Sequence, residues 1–188
     1  MGKLYSEIDD ELRAFISRQH VFFVATAPLT AEGHVNVSPK GLDTFRILGP
    51  KAVAYLDLTG SGIETVAHLR ENGRVTIMFC AFEGKPRILR LFGRGRVLEP
   101  EDAEWNRLAS HFAKFQGTRS IVLMEVERIA DSCGYGVPLF EYQRDRTQLL
   151  AWAENKGKEG LDRYKAETNS QSIDGLPGLG DPLRPSGG

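Results

Sequence analysis

At 188 residues, with 41% hydrophobic and 26% charged side chains, the sequence suits one globular domain of ordinary size. Lys and Arg number 24 against 25 Asp and Glu, a net charge of −1, which leaves no electrostatic footprint for nucleic acid or an anionic membrane. The apolar runs are too short to span a bilayer, and two cysteines (Cys80, Cys133) and four scattered histidines (His20, His34, His68, His111) argue against a disulfide framework or a zinc site. The first residues lack the apolar region of a signal peptide, so the expected location is the cytoplasm.

The first element is predicted as a helix. Ser6 is its expected N-cap, Glu7, Asp9, Asp10 and Glu11 load its first turn, and Ile8, Leu12, Phe15 and Ile16 form an apolar face. Val21–Ala27 then reads as a strand stopping at Pro28, and Ala31–His34 as a turn. Val35–Ser38 alternates as the returning strand of a hairpin. Thr44–Leu48 and Ala52–Leu58 are the next strands. The loop Thr59-Gly60-Ser61-Gly62 leads to a short helix over Ile63–Glu71, stopped by Asn72-Gly73. Val75–Phe82 is nearly all apolar and is predicted as a central strand buried on both faces, and Ile88–Val97 follows as a long strand.

Glu99–Asp102 opens a predicted helix whose face carries Trp105, Leu108, Ala109, Phe112 and Phe115, ended by Gly117. Ile121–Ile129 is the last strong strand. A helical pattern runs from about Tyr142 to Asn155, interrupted by Gly157 and Gly160, with a short helix over Leu161–Ala166. Six or seven strands with few helices do not make a βαβ series. The expected class is mainly β with helices (α+β), an antiparallel barrel closed by helices. Residues 1–166 are read as the domain. Residues 167–188 are read as an extended tail suited to docking on a partner subunit, its last part disordered without one.

Four places suit chemistry. The loop Thr59–Gly62 before a helix suits a phosphate, yet Ser61 with Glu64 spells a capping box that needs no ligand, and Glu64 would repel phosphate; on the loop alone, capping is favoured. Arg87, Arg90, Arg94 and Arg96 crowd one strand. They suit an anion or equally the charged guard of a solvated edge strand. Lys40, in Ser38-Pro39-Lys40-Gly41-Leu42-Asp43, either carries an anion or caps an ordinary surface turn. Tyr135, in Ser132–Pro138, either lies against an aromatic ligand or marks a turn.

In order, these pieces resemble the pyridoxamine 5′-phosphate oxidase family. Ser38–Asp43 resembles its strand ending in Leu-Leu-Lys-Gly-Phe-Asp. Ala54–Gly62 and Glu71–Phe79 are similar to its strand, loop, helix and strand block, and Arg87–Gly93 to its Arg-Gln-Val-Arg-Val-Glu-Gly strand. The match covers about residues 10–130, and Ser132–Leu179 looks like a bacterial-type subgroup. The resemblance implies a split β-barrel that binds FMN at a homodimer interface. Its phosphate would lie near Thr59, Gly60, Ser61 and Gly62, and its ring against Ser38 and the backbone around Tyr55 and Asp57. Arg87 and Arg90 match the family strand's arginines.

Three cations of the family are missing. Val35 stands where a phosphate-binding arginine is expected, and Gly62 and Ile63 where an Arg-Lys pair is. The C-terminal Arg-Leu-x-Asp segment is also absent, so vitamin B6 oxidation is not implied. Two expectations follow: an FMN-dependent oxidoreductase acting on a small molecule, with Lys40 and Tyr135 as the nearest catalytic candidates, or a protein that holds flavin, deazaflavin or haem without turnover.

Overall fold

The computed structural model describes residues 2–180; the expectation of disorder for the last residues of the tail falls mainly on 181–188, outside them. Eight strands form one antiparallel sheet: β1 (Leu4–Tyr5), β2 (Phe22–Thr26), β3 (Asn36–Lys40), β4 (Phe45–Gly49), β5 (Ala52–Leu58), β6 (Arg74–Cys80), β7 (Ile88–Leu98) and β8 (Thr118–Ser132). Its order is β3-β2-β6-β7-β8-β5-β4, with β1 added beside β8. Helices α1 (Asp10–Ser17), α2 (Glu64–Asn72), α3 (Trp105–Ala109) and α4 (Gln148–Thr168) flank it. The expected α+β split barrel is the fold found.

Alternation sets which side chains face inward. Val53 and Tyr55 of β5, Val75, Ile77 and Phe79 of β6, and Leu89 and Leu91 of β7 join Leu12, Phe15 and Ile16 of α1 in the main core. A second cluster lies on the other face of β5, where Ala54, Leu56, Leu98 and Ile121 meet Leu108 and Phe112. This second layer makes β5 the strand buried on both faces. The prediction of that role for Val75–Phe82 is corrected: β6 alternates, and its outer residues Thr76 and Met78 stay half-buried because the second layer covers β5 instead.

Several local readings are also corrected. Asp9, not Ser6, caps α1, its carboxylate accepting from the Leu12 amide (2.8 Å). Tyr5 still pairs with Ile129, and the Ile8 amide is bound to the Pro50 carbonyl, so the chain cannot turn helical sooner. The Ser61–Glu64 capping box does not form; Ile63 occupies the N-cap of α2 with no side-chain bond. β7 is no edge strand, since β6 and β8 pair with it on both sides. The face from Trp105 to Phe115 packs as expected, but turns hold most of it and only Trp105–Ala109 is helical.

The helix expected from Tyr142 begins at Gln148. Residues 140 and 142 are instead drawn onto the barrel, where the Phe140 amide donates to the Phe82 carbonyl (2.9 Å) and the Tyr142 amide to Glu83 (2.9 Å). Gly157 does interrupt α4, with φ at 61°; Gly160 does not. Trp152 stacks edge-on to Tyr164 within α4 itself, ring centres 5.0 Å apart. No described helix is long and apolar enough to cross a membrane.

The β7–β8 pairing slips register between Phe92 and Gly93, and a Cβ on Gly93 would run into the Glu125 carbonyl of β8. Gly93→Ala should therefore cost about 1–3 kcal/mol, the usual penalty for overpacking. Urea unfolding checks this; an unchanged midpoint would mean the strands part without strain.

Candidate functional site

Asp57 is the only charged residue in the apolar run Ala52–Leu58, and β5 carries it to full burial. One carboxylate oxygen accepts from Lys40 at the end of β3 (2.7 Å), the other from Arg119 at the start of β8 (2.8 Å). Burial alone would raise its pKa, but the Lys40 ammonium and the Arg119 guanidinium outweigh that and lower it to about 2. Arg119 also donates to the side-chain oxygen of Asn169 (2.9 Å), whose amide nitrogen donates to the Gly60 carbonyl (3.0 Å). One buried carboxylate thus links β3, β5, β8, the Gly60 loop and the segment after α4.

Lys40 also lines a cavity of about 1180 Å³, somewhat above the roughly 300–1,000 Å³ usual for small-ligand sites. Its floor includes Leu56, Leu58, Thr59 and Gly60, and its far wall is the strap over residues 140–149. The strap is pinned by Phe140 stacked on Phe82 (5.3 Å) and Tyr142 stacked on His20 (3.5 Å). Leu42, on the wall, has φ at 60°, a left-handed conformation costing a branched residue about 1–2 kcal/mol. Strain held on a cavity wall is the kind found at ligand sites.

Of the residues singled out from sequence, Lys40, Asp57, Thr59 and Gly60 come together here. Ser38 lies apart from the cavity wall in a polar network, its hydroxyl donating to Asn36 (3.0 Å), which in turn bonds Thr26 and Thr65. Tyr55 is wholly buried against Phe22, and β4 and β8 take its backbone on both sides. Burial drives its phenol well above the ordinary pKa, with Asp57 adding to the effect. Ser61 and Gly62 are exposed in the loop.

Three of the four strand arginines pair with the chain's own acids. Arg87 pairs with Glu11 (2.9 Å) and Asp131 (3.2 Å) and bonds Tyr5. Arg90 donates to Ser132 (3.0 Å), Arg94 reaches Glu127 (3.6 Å), and Arg96 pairs with Glu104. Neither Arg87 nor Arg90 lines the cavity beside Lys40. Arg87 lines a second cavity of about 800 Å³, with Cys133 and the 82% exposed Tyr135. The two catalytic candidates, Lys40 and Tyr135, therefore face different cavities. Sequence reasoning missed Arg119, Asn169 and the strap. Arg119 left a faint signal, a lone cation just ahead of an apolar strand; Asn169 left none.

The FMN implied by the resemblance fits this site in part. The cavity is roomy and apolar enough for a tricyclic ring beside Lys40. The Thr59–Gly62 loop does not fit the phosphate. The amide and hydroxyl of Thr59 are both spent on the Gly117 carbonyl (2.7 and 2.8 Å). The Glu64 carboxylate folds back over Gly62, within 2.5 Å of where a Cβ would sit, and accepts from the Ile173 amide (3.3 Å).

Comparison with known proteins bears on the whole chain. The family model described as "Pyridoxamine 5'-phosphate oxidase" matches residues 8–133. The Aspergillus flavus "Pyridoxamine 5'-phosphate oxidase family protein ustO" is 41% identical over 206 residues, covering 100% of this chain and 82% of that protein. That match takes in the C-terminal part expected to look bacterial. The crystal structure of HupZ from Group A Streptococcus has a TM-score of 0.51 at 25% identity, covering 65% of this chain and 91% of that one. A putative pyridoxamine 5′-phosphate oxidase from Lactobacillus delbrueckii has a TM-score of 0.51 at 17% identity, covering 68% and 98%, which shows the shared fold.

Asp57 has a lower pKa folded than unfolded, so its contribution is complete above the ordinary value of 3.8 and is lost as pH falls toward about 2. Asp57→Asn should remove that acid-sensitive part and, by stranding the buried Arg119 and the half-buried Lys40, cost about 3–5 kcal/mol at neutral pH. Urea unfolding from pH 7 to pH 2 checks both. A variant as stable as the parent, with the same acid dependence, would show that the pairing contributes nothing.

Proposed function

The chain belongs to the pyridoxamine 5′-phosphate oxidase family, and on that premise we propose that it is a flavin-dependent oxidoreductase acting on a small molecule. The observation that carries the reading is the cavity of about 1180 Å³ with Lys40 held at its wall by Asp57. A bound flavin would supply hydride exchange at its ring. The chain's own part is to orient and to exclude water. Leu42, Leu56 and Leu58 offer apolar surface to the ring, and the strap with Phe140 and Tyr142 shields it from solvent. Lys40 offers a hydrogen-bond donor from a fixed position. Arg87, Arg90 and Tyr135 would reach a cofactor only from a second copy of the chain.

The second copy is part of the proposal. Phe23, Met78 and Phe92 lie half-buried in neighbouring strands on the outer side of the sheet, next to the exposed Val37 of edge strand β3. Such a row suits a two-fold partner, and the exposed Ile173 suits docking of the tail on it. One observation favours a second reading, in which the barrel holds flavin, deazaflavin or haem without turnover: the loop expected to bind phosphate is closed by Glu64 and residue 173. In either reading the protein works in the cytoplasm.

The visible spectrum of the purified chain tests the first reading. We expect a yellow dimer by sedimentation at micromolar concentration, whose colour bleaches on anaerobic reduction and returns in air. A colourless protein that takes up no flavin would contradict it, and a flavin that never reoxidises would leave the binding role instead.

A further inference from the structure

We infer that the cavity selects a flavin without its phosphate: a neutral isoalloxazine–ribityl compound is bound at least as tightly as its phosphorylated form. This rests on the flavin reading above and names the ligand class of that same site. A phosphate monoester carries a charge of about −1.5 to −2 at neutral pH. It needs cations where it lies, and the loop before α2, residues 59–64, carries no Lys or Arg and presents the Glu64 carboxylate instead.

The wall is balanced. Arg18, Arg144 and Arg146 line the same cavity as Glu83, Glu141 and Asp145, and Lys40, the remaining Lys or Arg among the described lining residues, is already paired with Asp57. The loop at the floor is shut from within. Its Thr59 donors are both taken by Gly117, and Glu64 places a carboxylate where the helix N-terminus would otherwise draw an anion. The chain's own C-terminal segment then covers that end of α2. Ile173 donates to Glu64, and Gly178 packs against Ile63 so closely that a Cβ there would meet its Cγ1 at 3.0 Å.

The segment is also tied to the β2–β3 turn. Asp174 accepts from the His34 amide (2.8 Å) and contacts its ring (2.6 Å). The cover is fixed in place, because Asn169, wholly buried, bridges Arg119 and Gly60. A phosphate at this loop would face the Glu64 carboxylate and displace a bonded segment. A ribityl chain ending in a hydroxyl meets no such opposition.

Titration of the full-length protein with riboflavin and, separately, with FMN tests this through quenching of flavin fluorescence. The dissociation constant of riboflavin should be no higher than that of FMN. Glu64→Gln removes one opposing charge, so it should tighten FMN by at least about threefold while leaving riboflavin unchanged. In the parent protein, tighter binding of FMN than of riboflavin, or a ratio of the two unmoved by E64Q, would overturn the inference while leaving the flavin reading intact. If neither compound binds, both fall.

Discussion

The ion triad at Asp57 is the constraint on which the rest of the structure depends. A carboxylate with no exposed surface carries a desolvation cost of several kcal/mol unless opposite charge and hydrogen bonds answer it. Here two cations answer it from different strands, Lys40 at the end of β3 and Arg119 at the start of β8. Those strands lie far apart in the sheet order, so the triad ties across the barrel what hydrogen-bonded neighbours alone do not. It also decides the electrostatics of the cavity. Lys40 points a donor at the ligand space, but its charge is already spent.

From the triad the constraint spreads outward. Arg119 has donors left after Asp57, and Asn169 and the Gly60 carbonyl take them. The segment after α4 is thereby held against the loop before α2, where Glu64 places a carboxylate. The strap over residues 140–149 closes the cavity from the other side, through ring stacking on Phe82 and His20. What the fold prepares is a roomy, charge-balanced space with an apolar floor.

The strands were legible in the sequence because alternation is a local signal. β5 was read to its last residue, and the turn at Gly73 followed from a glycine that does adopt a left-handed φ of 69°. Caps and helix lengths were less legible, since tertiary bonds decided them: Pro50 claims the Ile8 amide, and Phe82 claims Phe140. The spacing from Trp105 to Phe115 gave the buried face correctly and the helix wrongly, because turns can bring the same apolar residues inward. At the site, Lys40, Asp57, Thr59 and Gly60 were found through a loop and a resemblance. Their partners Arg119 and Asn169 were not, because a pairing between residues 62 or 50 positions apart leaves no periodicity to read. The arginine strand looked like an anion site because its acids, Glu11, Asp131, Glu127 and Glu104, come from other elements.

One buried charge, Asp57, ties down the C-terminal segment through Arg119 and Asn169. Native-state hydrogen exchange in Asp57→Asn tests it most directly, read at the amides of Ser172, Gly178 and Leu179, which bond within that segment. If Asp57 orients Arg119, and Arg119 orients Asn169, these amides should exchange faster by on the order of tenfold or more, through local opening rather than global unfolding. If only the core amides of β7 accelerate and the segment keeps its protection, the segment is held by its own contacts and Asp57 does not anchor it.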